Sequence, residues 1–204
     1  MNVKKVTNLP NFLSFLRIAL TPFFLVCVFS EGWYWNLIAF VVFTLASITD
    51  YFDGKLARKN NEITTLGRFL DPLADKILVT SALIAFALNR VVVWWLIVPI
   101  IVRDVYVTAM RLRSINKGGV MTTSRLAKWK TAIQLIVVIA LLFLLGFKEL
   151  AMFFSGSQLE GLCDDQVFIF ANIAMSLVLL LTVISGLHYA FYAKYSVERM
   201  GDKT

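Results

Sequence analysis

Long apolar runs alternate with short polar stretches along the whole chain. Each run is close to the ~20 apolar residues that an α-helix needs to cross a hydrocarbon core about 30 Å thick. The pattern predicts six helices over residues 12–29, 33–56, 67–88, 91–111, 125–147 and 166–193. The expected fold is therefore an all-α integral membrane protein with six transmembrane helices, built as a single domain over residues 1–204.

The polar stretches between the runs are the predicted connections. Asn89-Arg90 is so short that the third and fourth helices should form an antiparallel hairpin. Residues 57–66 form a polar segment, 113–124 a basic, glycine-containing loop, and 148–165 a longer loop. No internal repeat stands out, and nothing indicates a second, soluble domain.

Composition agrees with a lipid environment. Apolar residues make up 59% of the chain and charged residues 16%, whereas soluble domains average about 45–50% and about 25%. The two cysteines, Cys27 and Cys163, are too few for a disulfide framework and are expected to be free thiols. The net charge of +7 comes from basic residues scattered between apolar runs, so no nucleic-acid partner is predicted.

Basic residues also predict the orientation in the membrane. With a cytoplasmic N-terminus, all of the 20 lysines and arginines except Arg90 and Lys148 fall on the inner side. Both termini are therefore expected in the cytoplasm, and the N-terminal segment, which lacks a small-residue cleavage site, is expected to be retained. Tryptophans near the predicted outer ends are typical of an aromatic belt: Trp33, Trp35, Trp94 and Trp95.

Four aspartates carry the candidate chemistry. Asp50 and Asp53 are three residues apart, and Asp71 and Asp75 four apart, so each pair shares one face of a helix. The first pair ends the second predicted helix and the other pair begins the third, so the two faces can meet at one depth. An ionisable residue at the centre of a span costs about 2.5–3.5 kcal/mol, and four carboxylates together also repel one another.

A bound divalent cation would remove both penalties. Oxygen ligands with no histidine or cysteine nearby suit Mg²⁺, Mn²⁺ or Ca²⁺ better than zinc. Four carboxylates are enough to hold two such ions roughly 3.5–4 Å apart, an arrangement that clamps phosphoryl oxygens. The alternative, a solvated loop in which the aspartates pair with nearby lysines and arginines, explains neither the helical spacing nor the small residues Gly54 and Gly67.

The stretch from Asp50 to Asp75 resembles the signature of the CDP-alcohol phosphatidyltransferase family. It reads D-x-x-D-G-x-x-A-R, eight residues, then G-x-x-x-D-x-x-x-D, and every signature position is present at the expected spacing. The resemblance implies a six-helix membrane fold, usually a homodimer. It also implies a site that opens to the cytoplasmic leaflet and binds a CDP-linked lipid with two divalent metal ions, Mg²⁺ or Mn²⁺.

The family resemblance also assigns roles to single residues. Asp50, Asp53 and Asp71 would be metal ligands, and Asp75 would bind the second metal and act as general base on the acceptor hydroxyl. Residues implied to bind the CDP-lipid are Asn8, Gly54, Ala57, Arg58, Gly67 and Asp71. The two glycines and the alanine would leave room for the cytidine nucleotide, and Arg58 would contact its phosphates or fix the loop.

Residues 8–17, 103–111 and 127–131 resemble the bacterial members of this family that use glycerol 3-phosphate as acceptor, although Asp104 stands where those members usually have glutamate. The resemblance implies transfer of a phosphatidyl group from CDP-diacylglycerol to sn-glycerol 3-phosphate, giving phosphatidylglycerophosphate and CMP at the bacterial cell membrane. Because arginine binds phosphate bidentately, basic residues are the candidate binders of the acceptor phosphate: Arg103, Arg111, Lys128 and Lys130.

Two alternatives stay open at the level of sequence. A related enzyme of the same family could use another acceptor, either inositol phosphate or, as in a cardiolipin synthase, phosphatidylglycerol. A divalent-cation transporter could use the aspartates as a pathway. Transporters tend to place such sites near the bilayer midplane between repeated halves, which this chain lacks.

Overall fold

The chain is described by a computed structural model that covers the backbone of residues 9–59, 65–116, 125–155 and 160–201. Side chains are described for residues 14–49, 73–110, 112–113, 126–154 and 164–187. Within these ranges the chain forms six α-helices: α1 Leu9–Phe29, α2 Trp33–Lys59, α3 Thr65–Leu88, α4 Trp94–Asn116, α5 Arg125–Ser155 and α6 Glu160–Gly201. The all-α class and the six predicted helices are confirmed.

Several helices are longer than the apolar runs predicted. The predicted loop over 148–165 is wrong for most of its length, because α5 continues to Ser155 and α6 begins at Glu160. The extension of α5 consists mainly of good helix formers and contains no glycine or proline. The polar segment 57–66 is likewise helical at both ends, and α4 extends to Asn116. Polar side chains at the rim of a bundle therefore do not end a helix.

The turn between α3 and α4 spans residues 89–93 rather than two residues. Arg90 adopts a positive φ of 57°, in the left-handed region, and the backbone N–H of Val91 donates to the carbonyl oxygen of Phe86 at 2.9 Å. Asn172 of α6 holds this turn, since its Oδ1 accepts from the Val93 N–H at 3.0 Å and its Nδ2 donates to the Val91 carbonyl at 3.2 Å. The predicted antiparallel hairpin of α3 and α4 is confirmed.

The six helices form three hairpins that close into a ring. Each hairpin joins helices adjacent in sequence, α1 with α2, α3 with α4, and α5 with α6. The hairpins contact one another through α1 and α3, α2 and α5, and α4 and α6. The contact of α2 with α5 is close at Gly146, where a Cβ atom would lie 2.8 Å from the Leu37 side chain. Small residues permit such approaches between helices in membranes.

The outward faces of the helices are strongly apolar. Val102, Ile136 and Leu177 are each about 60% exposed, and soluble monomers rarely expose large contiguous apolar patches. Two described segments, Leu126–Phe154 and Asp164–Leu187, are long and apolar enough to cross a membrane. Only 22% of the most apolar part of each segment is buried, whereas the central helix of a soluble protein would be mostly buried.

Candidate active site

The four signature aspartates lie on two helices that contact each other. Asp50 and Asp53 are in the second half of α2, and Asp71 and Asp75 are in the first half of α3. We call this end of the bundle the aspartate end. Of the four side chains, only that of Asp75 belongs to the described part of the chain. The predicted cluster of four carboxylates therefore stays a prediction.

The predicted nucleotide-binding residues also fall outside the described side chains. Gly54, Ala57 and Arg58 lie on α2 and Gly67 on α3, but their contacts are not described, and Asn8 lies before the first described residue. Their predicted roles therefore stay predictions.

Asp75 is linked through a neighbouring lysine to a second carboxylate. Its side chain is 34% exposed, and its Oδ2 lies 3.9 Å from the Nζ of Lys76. The same Nζ lies 3.8 Å from Oδ2 of Asp104, on α4. Lys76 thus stands between the aspartate signature and a carboxylate buried within the bundle.

Asp104 is the centre of an ion-pair network that joins four helices. Lys130 of α5 donates from Nζ to Oδ1 of Asp104, and Nη1 of Arg103 lies 3.2 Å from the same oxygen. The network extends to Ser185 of α6, whose Oγ accepts from Nη2 of Arg103 at 2.9 Å. Lys130 also donates to Oε1 of Gln134 at 2.6 Å. We call this set the Asp104 cluster: Lys76, Arg103, Asp104, Lys130, Gln134 and Ser185.

The Asp104 cluster carries more positive than negative charge. Its three cations face Asp104, and Lys76 also lies 3.9 Å from Asp75, so the cations outnumber the neighbouring carboxylates by one. Two buried donors, Nε of Arg103 and Nε2 of Gln134, have no hydrogen-bond partner among the described residues. Buried donors and charges normally require partners. The excess positive charge and the two donors suit the cluster to receive an anion.

The cluster opens from the interior toward the signature. The exposed fraction of the side chain rises from 1% at Lys130 and 4% at Asp104 to 14% at Arg103 and 21% at Lys76. A ligand that approaches from the aspartate end would therefore meet Asp75 and Lys76 before it meets Lys130.

The four predicted acceptor-binding residues have different surroundings. Arg103 and Lys130 are brought together at Asp104. Lys128 is exposed on α5, and Arg111 lies on α4 with a side chain outside the described set. The structure therefore joins two of these four residues.

Sequence reasoning did not assign a site role to Asp104, Gln134 or Ser185, and it treated Lys76 only as a generic charge partner. The available signal was Asp104 itself, an acidic residue inside a predicted span, where ionisable groups are costly and generally functional or paired. The spacing of Lys130 and Gln134, four residues apart on one helix, also places the two side chains on one face.

A separate cavity of about 790 Å³ lies at the opposite end of the bundle, among residues 28–36, 89–91, 145–149 and 164–168. Polar groups there pair with each other: Lys148 with Asp164, and Nδ2 of Asn36 with Oε1 of Glu149 at 2.6 Å. Among the side chains that are described, no three acidic, histidine or cysteine residues form a metal-binding group. The cavity contains no residue of the signature.

Comparison with known proteins identifies the class. Residues 7–184 match the family model described as CDP-alcohol phosphatidyltransferase. The match covers most of the chain, and the chain belongs to the CDP-alcohol phosphatidyltransferase family. The resemblance carried by the aspartate signature is therefore confirmed.

Among the relatives, a protein of Mycobacterium tuberculosis named probable phosphatidylglycerophosphate synthase is 36% identical over 188 residues, covering 91% of this chain and 81% of the relative. The CDP-diacylglycerol–glycerol-3-phosphate 3-phosphatidyltransferase of Bacillus subtilis is 36% identical over 196 residues, covering 89% of this chain and 93% of the relative. A Blochmanniella floridana protein of the same name is 40% identical over 144 residues, covering 67% of this chain and 74% of the relative.

Proposed function

We propose that this protein transfers the phosphatidyl group of CDP-diacylglycerol to sn-glycerol 3-phosphate, giving phosphatidylglycerophosphate and CMP. The family and the names of relatives that align over most of the chain support this reaction. The observation that carries the proposal from the structure is the Asp104 cluster, whose excess of cations over carboxylates lies beside Asp75. A phosphate group such as that of glycerol 3-phosphate supplies the matching negative charge.

Asp75 would be the general base. Its partly exposed carboxylate is accessible to a substrate hydroxyl, and a carboxylate within hydrogen-bond reach can take a proton as the oxygen attacks. The acceptor oxygen forms a bond to the lipid-bearing phosphorus while the bond to the CMP oxygen breaks. The proton passes to Asp75, and CMP leaves with the electron pair of the broken bond.

Asp50, Asp53, Asp71 and Asp75 would also hold two divalent metal ions, Mg²⁺ or Mn²⁺. The donor set consists of carboxylates, which suits hard cations, and α2 and α3 carry the two pairs on helices in contact. When bound, the ions would neutralise charge on the pyrophosphate. Beside them, Gly54, Ala57 and Gly67 would leave room for the nucleotide, with Arg58 and Asn8 contacting the CDP-lipid.

We further propose six membrane spans in the cell membrane of a bacterium, with both termini and the active site on the cytoplasmic side, in a single domain that forms a homodimer. The apolar outward faces and the bias of basic residues support this topology.

Cysteine labelling tests the topology. In a background with Cys27→Ser and Cys163→Ser, a membrane-impermeant maleimide should label Lys148→Cys in intact cells and Lys128→Cys only after lysis. The reverse pattern would contradict the proposed orientation.

The reaction is tested by CMP release from CDP-diacylglycerol by the purified protein in detergent. We expect release to require both glycerol 3-phosphate and Mg²⁺ or Mn²⁺, and to stop when EDTA removes the metal, because the pyrophosphate charge is then unscreened. Inositol phosphate and phosphatidylglycerol serve as alternative acceptors on the same preparation. Turnover with one of them, and none with glycerol 3-phosphate, would overturn the assignment of glycerol 3-phosphate as the acceptor. Metal-dependent flux through liposomes without CMP release would instead favour a transporter.

A further inference from the structure

Lys76 differs from the other two cations of the Asp104 cluster in how its donors are used. Its Nζ lies 3.9 Å from Asp75 and 3.8 Å from Asp104. Both distances exceed the roughly 2.7–3.2 Å of a direct hydrogen bond. The three N–H donors of this ammonium are therefore attracted to two carboxylates without being committed to either, and the side chain is 21% exposed.

The other two cations already donate to side chains of the cluster, although Nε of Arg103 has no partner among the described residues. Lys130 is almost completely buried and donates to both Asp104 and Gln134. Arg103 uses Nη1 on Asp104 and Nη2 on Ser185. With a side chain only 1% exposed, Lys130 is not accessible to a ligand unless neighbouring side chains move. The main effect of Lys130 and Arg103 is therefore to neutralise and hold the Asp104 carboxylate.

The size of the acceptor restricts where its phosphate can lie. In glycerol 3-phosphate the reacting hydroxyl and the phosphate share one three-carbon skeleton. The cation that binds the phosphate must therefore be close to the base that receives the hydroxyl proton. Lys76 meets this condition, since its Nζ is 3.9 Å from the Asp75 carboxylate.

We propose that Lys76 binds the phosphate of the acceptor directly, and that Asp104, held by Lys130 and Arg103, is the positioning residue that keeps the Lys76 ammonium beside Asp75. This assignment rests on the proposed function. It makes Lys76 a specificity residue for phosphorylated acceptors and gives Lys130 an indirect role.

The decisive experiment measures kcat and KM for each substrate in Lys76→Gln and Lys76→Arg. A hydrogen bond to a charged group contributes about 1.5–3 kcal/mol, so Lys76→Gln should raise the KM for glycerol 3-phosphate by about 10- to 150-fold. The KM for CDP-diacylglycerol should stay within about twofold of the parent value. Lys76→Arg, which keeps the charge, should restore most of the affinity for the acceptor.

Glycerol provides a matched acceptor without a phosphate. Lys76→Gln should reduce the preference for glycerol 3-phosphate over glycerol, measured as the ratio of the two kcat/KM values, because the proposed contact serves only the phosphorylated acceptor. Lys148→Gln is the control variant, since it also removes a lysine paired with an aspartate, at the opposite end of the bundle. Its kinetics should match those of the parent protein.

Two outcomes would overturn the assignment. One is a raised KM for CDP-diacylglycerol with an unchanged KM for glycerol 3-phosphate, which would place Lys76 on the donor lipid. The other is a fall in kcat with both KM values unchanged. An absence of turnover with glycerol 3-phosphate in the parent protein would instead reject the proposed function itself.

Chemical modification tests the same contact without a variant that must fold. Acetylation of Lys76 in the parent protein, followed by mass spectrometry, should slow several-fold when glycerol 3-phosphate is added and remain unchanged with glycerol. Acetylation of Lys148 should be unaffected by either compound. Equal acetylation of Lys76 with and without saturating glycerol 3-phosphate would contradict direct binding.

Discussion

Asp75→Asn should lower kcat for CMP release by about 10²–10⁴-fold, the usual contribution of a general base. Asparagine has nearly the same shape as aspartate but cannot take the proton of the acceptor hydroxyl, and it is a weaker ligand for a divalent cation. The side chain is partly exposed, so the substitution should leave the fold intact. Single-turnover measurements with saturating CDP-diacylglycerol and glycerol 3-phosphate separate the chemical step from binding.

Asp164→Asn is the matched control for Asp75→Asn. Asp164 is also an exposed aspartate paired with a lysine, but it lies at the end of the bundle away from the signature. Its substitution should leave the rate of CMP release unchanged. If Asp75→Asn retained more than about one tenth of the parent kcat, the assignment of Asp75 as the base would be wrong.

Asp104→Asn should destabilise the folded protein by about 3–5 kcal/mol, the range measured when one partner of a buried ion pair is removed. The change deprives Lys130, Arg103 and Lys76 of their shared counter-charge in a position where Asp104 itself is only 3% exposed. A denaturant titration of the protein in detergent gives the free energy of unfolding for parent and variant. Asp104→Glu keeps the charge, so its free energy of unfolding should fall much less.

A double-mutant cycle tests whether the loss comes from the pair. Lys130→Gln alone should also destabilise the protein, because it removes the most deeply buried cation of the cluster. The double variant Asp104→Asn/Lys130→Gln should lose less free energy of unfolding than the two single variants lose in sum. Each single change leaves a charge without its partner. Strict additivity of the two losses would show that Asp104 and Lys130 do not stabilise each other.

The sequence predicted those features that depend on local spacing. The apolar runs predicted six helices. The family was predicted from the spacing of four aspartates that lie within one stretch of chain: Asp50, Asp53, Asp71 and Asp75. The ends of α5 and α6 were predicted poorly. Lys148 and Glu149 suggested a loop, whereas their helix continues because Lys148 pairs with Asp164 and Glu149 accepts from Asn36, which leaves the backbone hydrogen bonds of the helix undisturbed.

The Asp104 cluster could not be predicted because it depends on the arrangement of helices. Asp104 and Lys130 are 26 residues apart, and Arg103 and Ser185 are 82 apart. Nothing in the local pattern of α4 indicates which helices lie beside it. Only the ring order, with α4 between α3 and α6 and with α5 beside α6, brings these side chains together.

The three-hairpin ring also determines when during synthesis the protein can become active. Each hairpin joins helices that are neighbours in sequence, so it can form as soon as its second helix has been synthesised. The cluster at Asp104 draws Lys76, Arg103 and Asp104 from the second hairpin, but Lys130 and Ser185 come from the third. A nascent chain that ends before α5 therefore already carries its signature aspartates, while the buried Asp104 carboxylate still lacks Lys130. The last hairpin therefore completes the proposed site, and we expect no catalysis before α6 has been synthesised.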